Sequence, residues 1–212
     1  GLTYAEYART GFFQLLAVAG LTLLLLLGVR GNVRPADGPR RGLLVLAEAT
    51  VVLTLVIVGV AVRRLDLYDD VFGLTMLRLS STVAAWWIGA VFVLVGLALV
   101  GVRRGHDWLA GAVLVTTVVT VVGFNAVDPE ALVVRHNVAR DAGEVPVDLS
   151  YLVELSDDAL PALEAALDDL EPDAERATVG AICRTGDHDP DGGFLAWNLS
   201  AARAEEVRDR RC

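Results

Sequence analysis

The sequence contains no lysine, so each of its 18 fixed basic residues is an arginine. It has only three histidines and two cysteines in 212 residues. The histidines are scattered, and there is no Gly-rich phosphate loop, no His-Glu-x-x-His and no Gly-x-Ser-x-Gly pattern. These absences remove the usual signatures of phosphate-binding, zinc-dependent and serine-nucleophile enzymes. We therefore predict a non-enzymatic protein.

Charge is missing from long parts of the chain, which is 54% hydrophobic with a mean hydropathy of +0.52. Residues 11–29, 79–102 and 108–127 hold no charge, and residues 42–62 hold only Glu48. Each run is long enough to cross a hydrocarbon core, which needs about 20 helical residues. The two-residue alternation of barrel strands is absent, so these runs predict four membrane-spanning helices.

The charge balance changes sharply along the chain. Residues 1–127 carry ten arginines and seven acids, a net charge of +3, whereas residues 128–212 carry eight arginines and twenty acids, a net charge of −12. This step predicts an all-α protein with a membrane domain over 1–127 and a small acidic helical soluble domain over 128–212. So acidic a domain repels phosphate, and we expect no nucleic acid among its partners.

The arginines also predict an orientation in the bilayer. The connections 30–41 and 103–107 lie on one side of the predicted membrane domain and hold six arginines. Short Arg-rich connections stay in the cytoplasm. We therefore expect a multi-pass protein of the cell membrane whose residues 128–212 are extracytoplasmic.

Residues 63–78, which we call the elbow, form a charged and aromatic interruption between two apolar runs. Tyr68 and Phe72 are four residues apart, so on a helix they share one face. Aromatic rings and arginine stems favour the membrane–water boundary. The elbow is therefore interpreted as an interfacial connection that ends one membrane helix near Arg64 and starts the next near Arg78.

Helix signals continue beyond residue 127. Asp128 and Pro129 make a good helix start, and the helix is expected to reach about Arg140. Further helices are predicted over 172–184 and about 195–209. Before residue 172, Asp157 or Asp158 can cap another helix, on which a stripe with 3-4-3 spacing predicts one buried face, formed by Leu160, Leu163, Leu167 and Leu170.

The two cysteines are Cys183 and Cys212. If helices 172–184 and 195–209 form a hairpin, Cys183 lies by the turn and Cys212 at the far end. Fifteen helical residues span about 22 Å, whereas a disulfide needs Cα atoms within about 7 Å. The hairpin geometry argues against a disulfide, although an early helix end would permit one.

Glu48 is the one charge within the predicted spans, about 9 Å past Gly42 along the helix. A carboxyl at that depth is expected to face the helix bundle. Either it relays protons or ions, or it joins helices as a protonated or hydrogen-bonded group. We favour the second interpretation because no second ionisable group accompanies it. Its candidate partners at similar depth are Thr22, Thr116 and Thr117.

One loop has the spacing of a calcium site. Asp187, Asp189, Asp191 and Gly192 match positions 1, 3, 5 and 6 of a calcium-binding loop. Position 12 is Asn198, where a bidentate Glu belongs, so any site is expected to be weak. The alternative, which we favour, is an exposed acidic turn without metal, because Asp, Pro and Gly are ordinary turn residues. No other cofactor is predicted.

Several motifs together resemble a known family. They are Tyr4-Ala-Glu-Tyr-Ala-Arg9, Arg64-Leu-Asp-Leu-Tyr68, Phe72-Gly-Leu-Thr75 with Arg78, Asp128-Pro-Glu-Ala with Arg135 and Asn137, Asp148-Leu-Ser-Tyr-Leu-Val-Glu-Leu-Ser156, Asp158-Ala-Leu-Pro-Ala162 and Trp197-Asn-Leu-Ser200. The chain resembles a family of bacterial polytopic membrane proteins of unknown function, of the domain of unknown function 4153/4173 type. The resemblance implies further membrane helices before residue 1 and brings no activity, substrate or cofactor.

These motifs all fall on the predicted extracytoplasmic side, so we expect the elbow and residues 125–137 to form an interaction surface there. Its predicted members are Arg64, Tyr68, Phe72, Arg78, Asp128, Arg135 and Asn137. Arg64 and Arg78 are expected to pair with acids of the tail, and simple fold support by such pairs is the preferred interpretation.

The function predicted from the sequence is an interaction, sensory or assembly subunit with a protein partner in the membrane or envelope. The alternative is a transporter or channel component whose upstream helices are missing here. A transporter should show broken spans and several polar residues at midplane. These spans are smooth, which favours the first function.

Overall fold

The computed structural model describes residues 18, 20–22, 28, 40–101, 108–141, 148–184 and 199–212. Within these ranges the secondary structure is helix and turn, without a β-strand. The helices are α1 (Arg40–Phe72), α2 (Met76–Val100), α3 (Trp108–Ala126), α4 (Pro129–Asp141), α5 (Leu149–Val153), α6 (Leu160–Ala166), α7 (Pro172–Arg184) and α8 (Leu199–Arg211), with 3₁₀ turns at Asp157–Ala159 and Leu167–Asp169.

The chain forms two compact units, and neither is continuous in sequence. The first unit comprises residues 1–66 and 81–121, and the second comprises residues 67–80 and 122–212. Most of the elbow is therefore part of the same unit as the acidic tail. Each unit has its own hydrophobic core.

Helix α1 continues well beyond the end predicted for its apolar run. It has 33 residues, about 50 Å at 1.5 Å per residue, and includes Arg63 and Arg64. Arg, Leu and Asp are compatible with helix, so charge alone does not stop it. Gly73 stops it: with φ of 77° it occupies the left-handed region, and its N–H donates to Asp69 O at 3.0 Å. The elbow is thus mostly helix, and only residues 73–75 are non-helical.

The core of the first unit lies between α1 and α2. It is formed by buried side chains one or two turns apart on each helix, namely Ala47, Val51, Ile88, Phe92 and Val95. The register is antiparallel: a Cβ on Gly89 would lie 3.5 Å from Val58 Cγ1, and a Cβ on Gly96 would lie 3.3 Å from Val51 Cγ1. A Cβ would make an ordinary contact at Gly89 but a tight one at Gly96, so glycine favours the close approach of the two helices at Gly96.

The outer surface of these helices is apolar. Helices α1, α2 and α3 contain segments long and apolar enough to cross a membrane, at Gly42–Asp69, Met76–Val100 and Trp108–Ala126. Helix α3 meets α2 through Trp87, whose Nε1 donates to Thr117 Oγ1 at 3.1 Å. Of the first predicted span, 11–29, only residues 18, 20–22 and 28 are described, and they are helical.

The core of the second unit draws on α4 to α8 and on the elbow. Val133, Val134, Leu152, Ile182 and Ala204 are almost completely buried in it. Leu74 and Met76 of the elbow, and Leu79 just after it, pack against the same cluster. The leucines of the predicted 3-4-3 stripe are all buried in this core, as their spacing predicts: Leu160, Leu163, Leu167 and Leu170.

Polar side chains start the helices of this unit. Asp128 accepts from Ala131 N at 3.2 Å and Pro129 occupies the first helical position, as the sequence predicts. Asp148 caps α5 by accepting from Tyr151 N at 3.2 Å. Hydrogen bonds from Ser150 and from Tyr151 N lower the pKa of this carboxyl. Ser156 caps the following 3₁₀ turn.

Cys183 and Cys212 form a disulfide, which corrects the expectation from hairpin geometry. Their Cα atoms are 5.8 Å apart. Cys183 lies at the C-terminal end of α7 and Cys212 follows the C-terminal end of α8. The same ends of the two helices therefore meet, whereas the predicted hairpin placed opposite ends together.

Candidate functional site

The turn at residues 73–75, between α1 and α2, is held by side chains of α4 and α5. Leu74 N–H donates to Asn137 Oδ1 at 2.8 Å, and Asn137 Nδ2 donates to Leu74 O at 2.7 Å. Met76 N–H donates to the Tyr151 hydroxyl at 2.8 Å. These three bonds, which we call the turn clamp, pair backbone groups that no helix can satisfy, because they flank the helix ends.

Asn137 suits this position because its amide offers one donor and one acceptor, the same pair that a neighbouring strand would offer. The residue is only 9% exposed, so an unpaired backbone group beside it would be costly. Thr75 completes the turn as the N-cap of α2, accepting from Arg78 N at 3.3 Å. Asn137 therefore supports the fold, and its amide groups are occupied.

His136 and Asp69 form a further link between α4 and the elbow. His136 Nε2 lies 3.2 Å from Asp69 Oδ2, and both side chains are partly exposed. The contact is an ion pair only when the imidazole is protonated. It strengthens the docking of the elbow on α4, on the same side as the turn clamp.

The aromatic face predicted for the elbow is present. The rings of Tyr68 and Phe72 stack with centroids 5.9 Å apart, and the Arg78 guanidinium lies 5.7 Å from the Phe72 centroid. Phe72 remains 64% exposed. This exposed ring with arginine beside it has the composition of a membrane–water boundary.

The predicted pairing of Arg78 with tail acids has no counterpart among the described residues, and the pairing of Arg64 stays a prediction, because Arg64 and the tail belong to different compact units. Arg78 donates to the Gly73 carbonyl and lies over Phe72, and Arg64 is exposed without a salt bridge to any described residue. Glu130 instead accepts from Ser156 Oγ at 2.6 Å. The neutral hydrogen bonds of the turn clamp and the His136–Asp69 contact dock the elbow, because backbone N–H and C=O groups at the turn need partners more than an exposed guanidinium does.

A cleft of about 310 Å³ lies on the second unit, beside α4. Three elements form its walls: α4, α6 with the preceding 3₁₀ turn, and α8. Its lining combines small apolar residues with charges of both signs: Asp128, Ala131, Arg135, Asp157, Asp158, Pro161, Ala162, Ala165 and Arg203. Two predicted surface residues, Asp128 and Arg135, therefore meet in a cleft whose other walls the sequence did not indicate.

The charges around this cleft are not equally committed. Asp128 caps α4, and Asp157 Oδ1 lies 2.6 Å from Arg208 Nη2 in a salt bridge. Arg135 uses only Nε, which donates to Ala131 O at 3.3 Å, and Arg203 has no hydrogen bond or salt bridge with a described residue. Among the described residues, these two guanidinium groups thus keep donors without a partner, whereas Asp128, Asp157 and Asp158 all take part in interactions.

The C-terminal end of α8 is fixed by ion pairs next to the disulfide. Glu164 is 15% exposed and holds Arg210 at 2.7 Å and Arg211 at 3.2 Å. The hydrogen bond from Arg210 is the main reason that the pKa of Glu164 lies below its ordinary value. This network and the disulfide together position α8 and hence Arg203.

Glu48 faces α2 rather than the surface. Its Oε2 would lie 3.6 Å from a Cβ on Gly96, and its Oε1 is buried without a hydrogen-bond partner among the described residues. The expected threonine partners do not reach it: Thr116 and Thr117 donate to carbonyls of their own helix, and so does Thr22. A hydroxyl on a helix has such a carbonyl within easy reach, which explains the difference.

The predicted calcium ligands Asp187, Asp189 and Asp191 lie outside the described residues. Within the described ranges, no group of three His, Cys, Asp or Glu side chains is arranged to hold a metal ion.

Sequence reasoning missed Tyr151, Glu164 and Arg203 as important residues. Tyr151 lies within a quoted motif, but nothing in its spacing shows that its hydroxyl reaches Met76. The roles of Glu164 and Arg203 depend on the packing of α8 against α6. A local sequence pattern does not predict such a contact between distant segments. The signal that did work was helix-terminal chemistry at Asp128 and Pro129.

The described residues define an all-helical protein with helices of membrane-spanning length and composition. Residues 1–166 match a family described as a domain of unknown function, DUF4153, and the chain belongs to that family. The resemblance to a family of unknown function is thereby confirmed. The match ends with α6, so the Trp197–Ser200 motif, α7, α8 and the disulfide lie beyond it. No curated protein and no solved structure matches the chain.

Proposed function

We propose that this chain is a non-enzymatic integral membrane protein that crosses the bilayer four times. In this proposal the acidic residues 128–212 lie outside the cytoplasm and serve as an interaction, sensory or assembly module. The observation that carries it is the cleft on the second unit, whose Arg135 and Arg203 have donors without a partner among the described residues. A cleft with uncommitted charged groups is a more specific recognition feature than a uniformly solvated helical surface.

The disulfide supports the proposed orientation. Disulfides persist in oxidising compartments such as the periplasm or the exterior of the cell. Cys183 and Cys212 are placed for a bridge without movement of the backbone. The exposed Phe72 with Arg78 beside it supports an elbow at the membrane surface on that same side.

The orientation is tested by thiol labelling in intact cells. Single cysteines replace Asp37 and Glu171 in a Cys183→Ser, Cys212→Ser background, and an impermeant maleimide is added before or after lysis. Residue 171 should react in intact cells and residue 37 only after lysis. Reaction of residue 171 only after lysis would place the tail in the cytoplasm and refute the orientation.

The interaction role is tested by photo-crosslinking from within the cleft. A photoreactive residue at Ala165, which lines the cleft, is compared with one at Ala177, which is equally exposed on α7. A discrete adduct at residue 165 that is absent at residue 177 and disappears with Arg135→Gln supports a partner in the cleft. Identical adduct patterns at both positions would contradict it.

A second candidate is a component of a transporter or channel, and Glu48 is the observation that favours it. A buried, unpartnered carboxyl oxygen in an apolar helix pair is a feature of intramembrane proton sites. Against it, α1 and α2 are unbroken through their candidate spans, whereas transporter sites use discontinuous helices. Proton uptake by liposomes containing the protein, abolished by Glu48→Gln, would favour this candidate.

A further inference from the structure

We propose that the cleft of the second unit binds the phosphate of a zwitterionic phospholipid headgroup, with the headgroup ammonium on the acidic side of the cleft. This inference rests on the proposed function, because it names the class of ligand that the extracytoplasmic unit recognises. The ligand chemistry is a phosphate ester next to a primary or quaternary amine.

The two arginines select the phosphate. Among the described residues, no partner is bonded to the two terminal nitrogens of Arg135 or to any donor of Arg203. They come from different helices, α4 and α8, and line the same cleft. Guanidinium groups match the geometry of phosphate oxygens, and a phosphate can accept from two of them at once.

The small size of the apolar residues that line the cleft leaves room for a ligand. The apolar lining is made of Ala131, Pro161, Ala162 and Ala165, all of them small. A volume of about 310 Å³ is at the lower end of the range for ligand sites, roughly 300–1,000 Å³. That volume suits a headgroup and excludes a large folded partner from the floor.

Charge decides between a zwitterionic and a net-anionic ligand. Residues 128–212 carry a net charge of −12, so the field of the tail opposes the approach of a net anion. The cleft itself is also lined by Asp157 and Asp158, which lie in the 3₁₀ turn before α6. A ligand with both a phosphate and an ammonium group satisfies the arginines and is not repelled by the acids.

The place of the cleft in the chain decides between a lipid and a soluble source. Asp128 follows Ala126, the last residue of a candidate span, by two residues, which extend about 7 Å at most. The headgroup layer adds roughly 5–7 Å to each side of the hydrocarbon core. With α3 crossing the bilayer as proposed above, the α4 wall of the cleft begins two residues after the end of that span, within reach of the headgroup layer.

The test uses the full chain in detergent micelles and native mass spectrometry. Phosphatidylethanolamine, phosphatidylglycerol, soluble glycerophosphoethanolamine and inorganic phosphate are titrated separately. The variants are Arg135→Gln with Arg203→Gln, and the matched control Arg176→Gln, an exposed arginine on α7 that pairs with Asp173 outside the cleft. If the double variant does not fold, Ala165→Leu fills the cleft while both arginines stay.

We expect phosphatidylethanolamine to bind the native chain and the Arg176→Gln control equally. Its affinity should fall about tenfold or more for each arginine removed, since a charge-assisted hydrogen bond is worth about one power of ten or more. Glycerophosphoethanolamine should compete weakly at the same site. It has the same headgroup, but without acyl chains it is not concentrated in the micelle next to the cleft.

Unchanged affinity for phosphatidylethanolamine in both the double variant and Ala165→Leu would overturn the inference. So would saturable binding of phosphatidylglycerol or inorganic phosphate without binding of phosphatidylethanolamine, since the ligand would then be a net anion or a soluble one. The cleft crosslink at residue 165 separates the two proposals. A protein adduct that depends on Arg135, together with negative lipid titrations, would leave the interaction role standing and remove the lipid.

Discussion

Removing the Asn137 side chain should open the turn between α1 and α2 without unfolding the protein. In Asn137→Ala the Leu74 N–H and C=O lose their partners at 2.8 and 2.7 Å, in a site where Asn137 is only 9% exposed. Each unsatisfied buried backbone group costs about 1–3 kcal/mol, and partial access of water reduces the sum. We therefore expect the local opening free energy to fall by about 2–4 kcal/mol.

Hydrogen exchange measures this change directly. Because 1.4 kcal/mol is a factor of ten, the amides of Leu74 and Met76 should exchange about 30 to 1,000 times faster in Asn137→Ala. The Asn137→Asp variant keeps an acceptor for Leu74 N–H but turns a carboxylate oxygen towards Leu74 O. The amides of the turn should therefore also exchange faster in this variant than in the native chain. Glu171→Ala, on an exposed residue of the same unit, is the control. Equal exchange of residues 67–80 in Asn137→Ala and the control would refute the role given to the turn clamp.

Three further predictions concern other parts of the two units. Replacing Cys183 and Cys212 together by Ser should lower the stability of the second unit by about 3–4 kcal/mol, from a sequence separation of 29 residues, measured as the chemical-denaturation midpoint with and without reductant. If reductant still lowers the denaturation midpoint of this double variant, the loss of the disulfide is not the cause of the reductant effect. The pKa of Glu164 lies below its ordinary value of 4.5, so its stabilising contribution is present above that value and is lost as the pH falls through the folded pKa. In Glu164→Gln the melting temperature should therefore fall less steeply as the pH is lowered. An unchanged dependence on pH would show that the Arg210 pair is not responsible. Gly96→Val should destabilise the first unit by about 1–3 kcal/mol in detergent melting, because a Cβ there already lies 3.3 Å from a side chain of α1, whereas Gly59→Val, in open space, should not.

Much of the helical architecture could be predicted because it depends on local chemistry. Asp128 and Pro129 gave the start of α4, and Pro172 gave the start of α7, since caps and proline act within one turn. The apolar runs gave α2 and α3 to within a few residues. The end of α1 was missed because loss of hydropathy was taken as loss of helix, whereas Gly73 alone sets that end.

The candidate site was less predictable because its residues come from distant parts of the chain. Arg135 and Asp128 were expected on an interaction surface, but Arg203 and Asp157 reach the same cleft only through the packing of α8 and α6. The disulfide depended on how the ends of α7 and α8 meet, and helix length alone pointed to the wrong ends. Long-range pairing of this kind is not encoded by spacing within a segment.

The turn clamp has a consequence for the order in which the protein is made. Its hydrogen bonds join residues 63 and 75 positions apart in sequence. During synthesis the turn emerges long before α4 and α5, so the N–H groups of Leu74 and Met76 must remain bonded to water until Asn137 and Tyr151 arrive. Contacts that close long loops form late in folding. The turn is therefore made early but acquires its native partners late, and for that interval it is the part of the second unit most open to a chaperone or a protease.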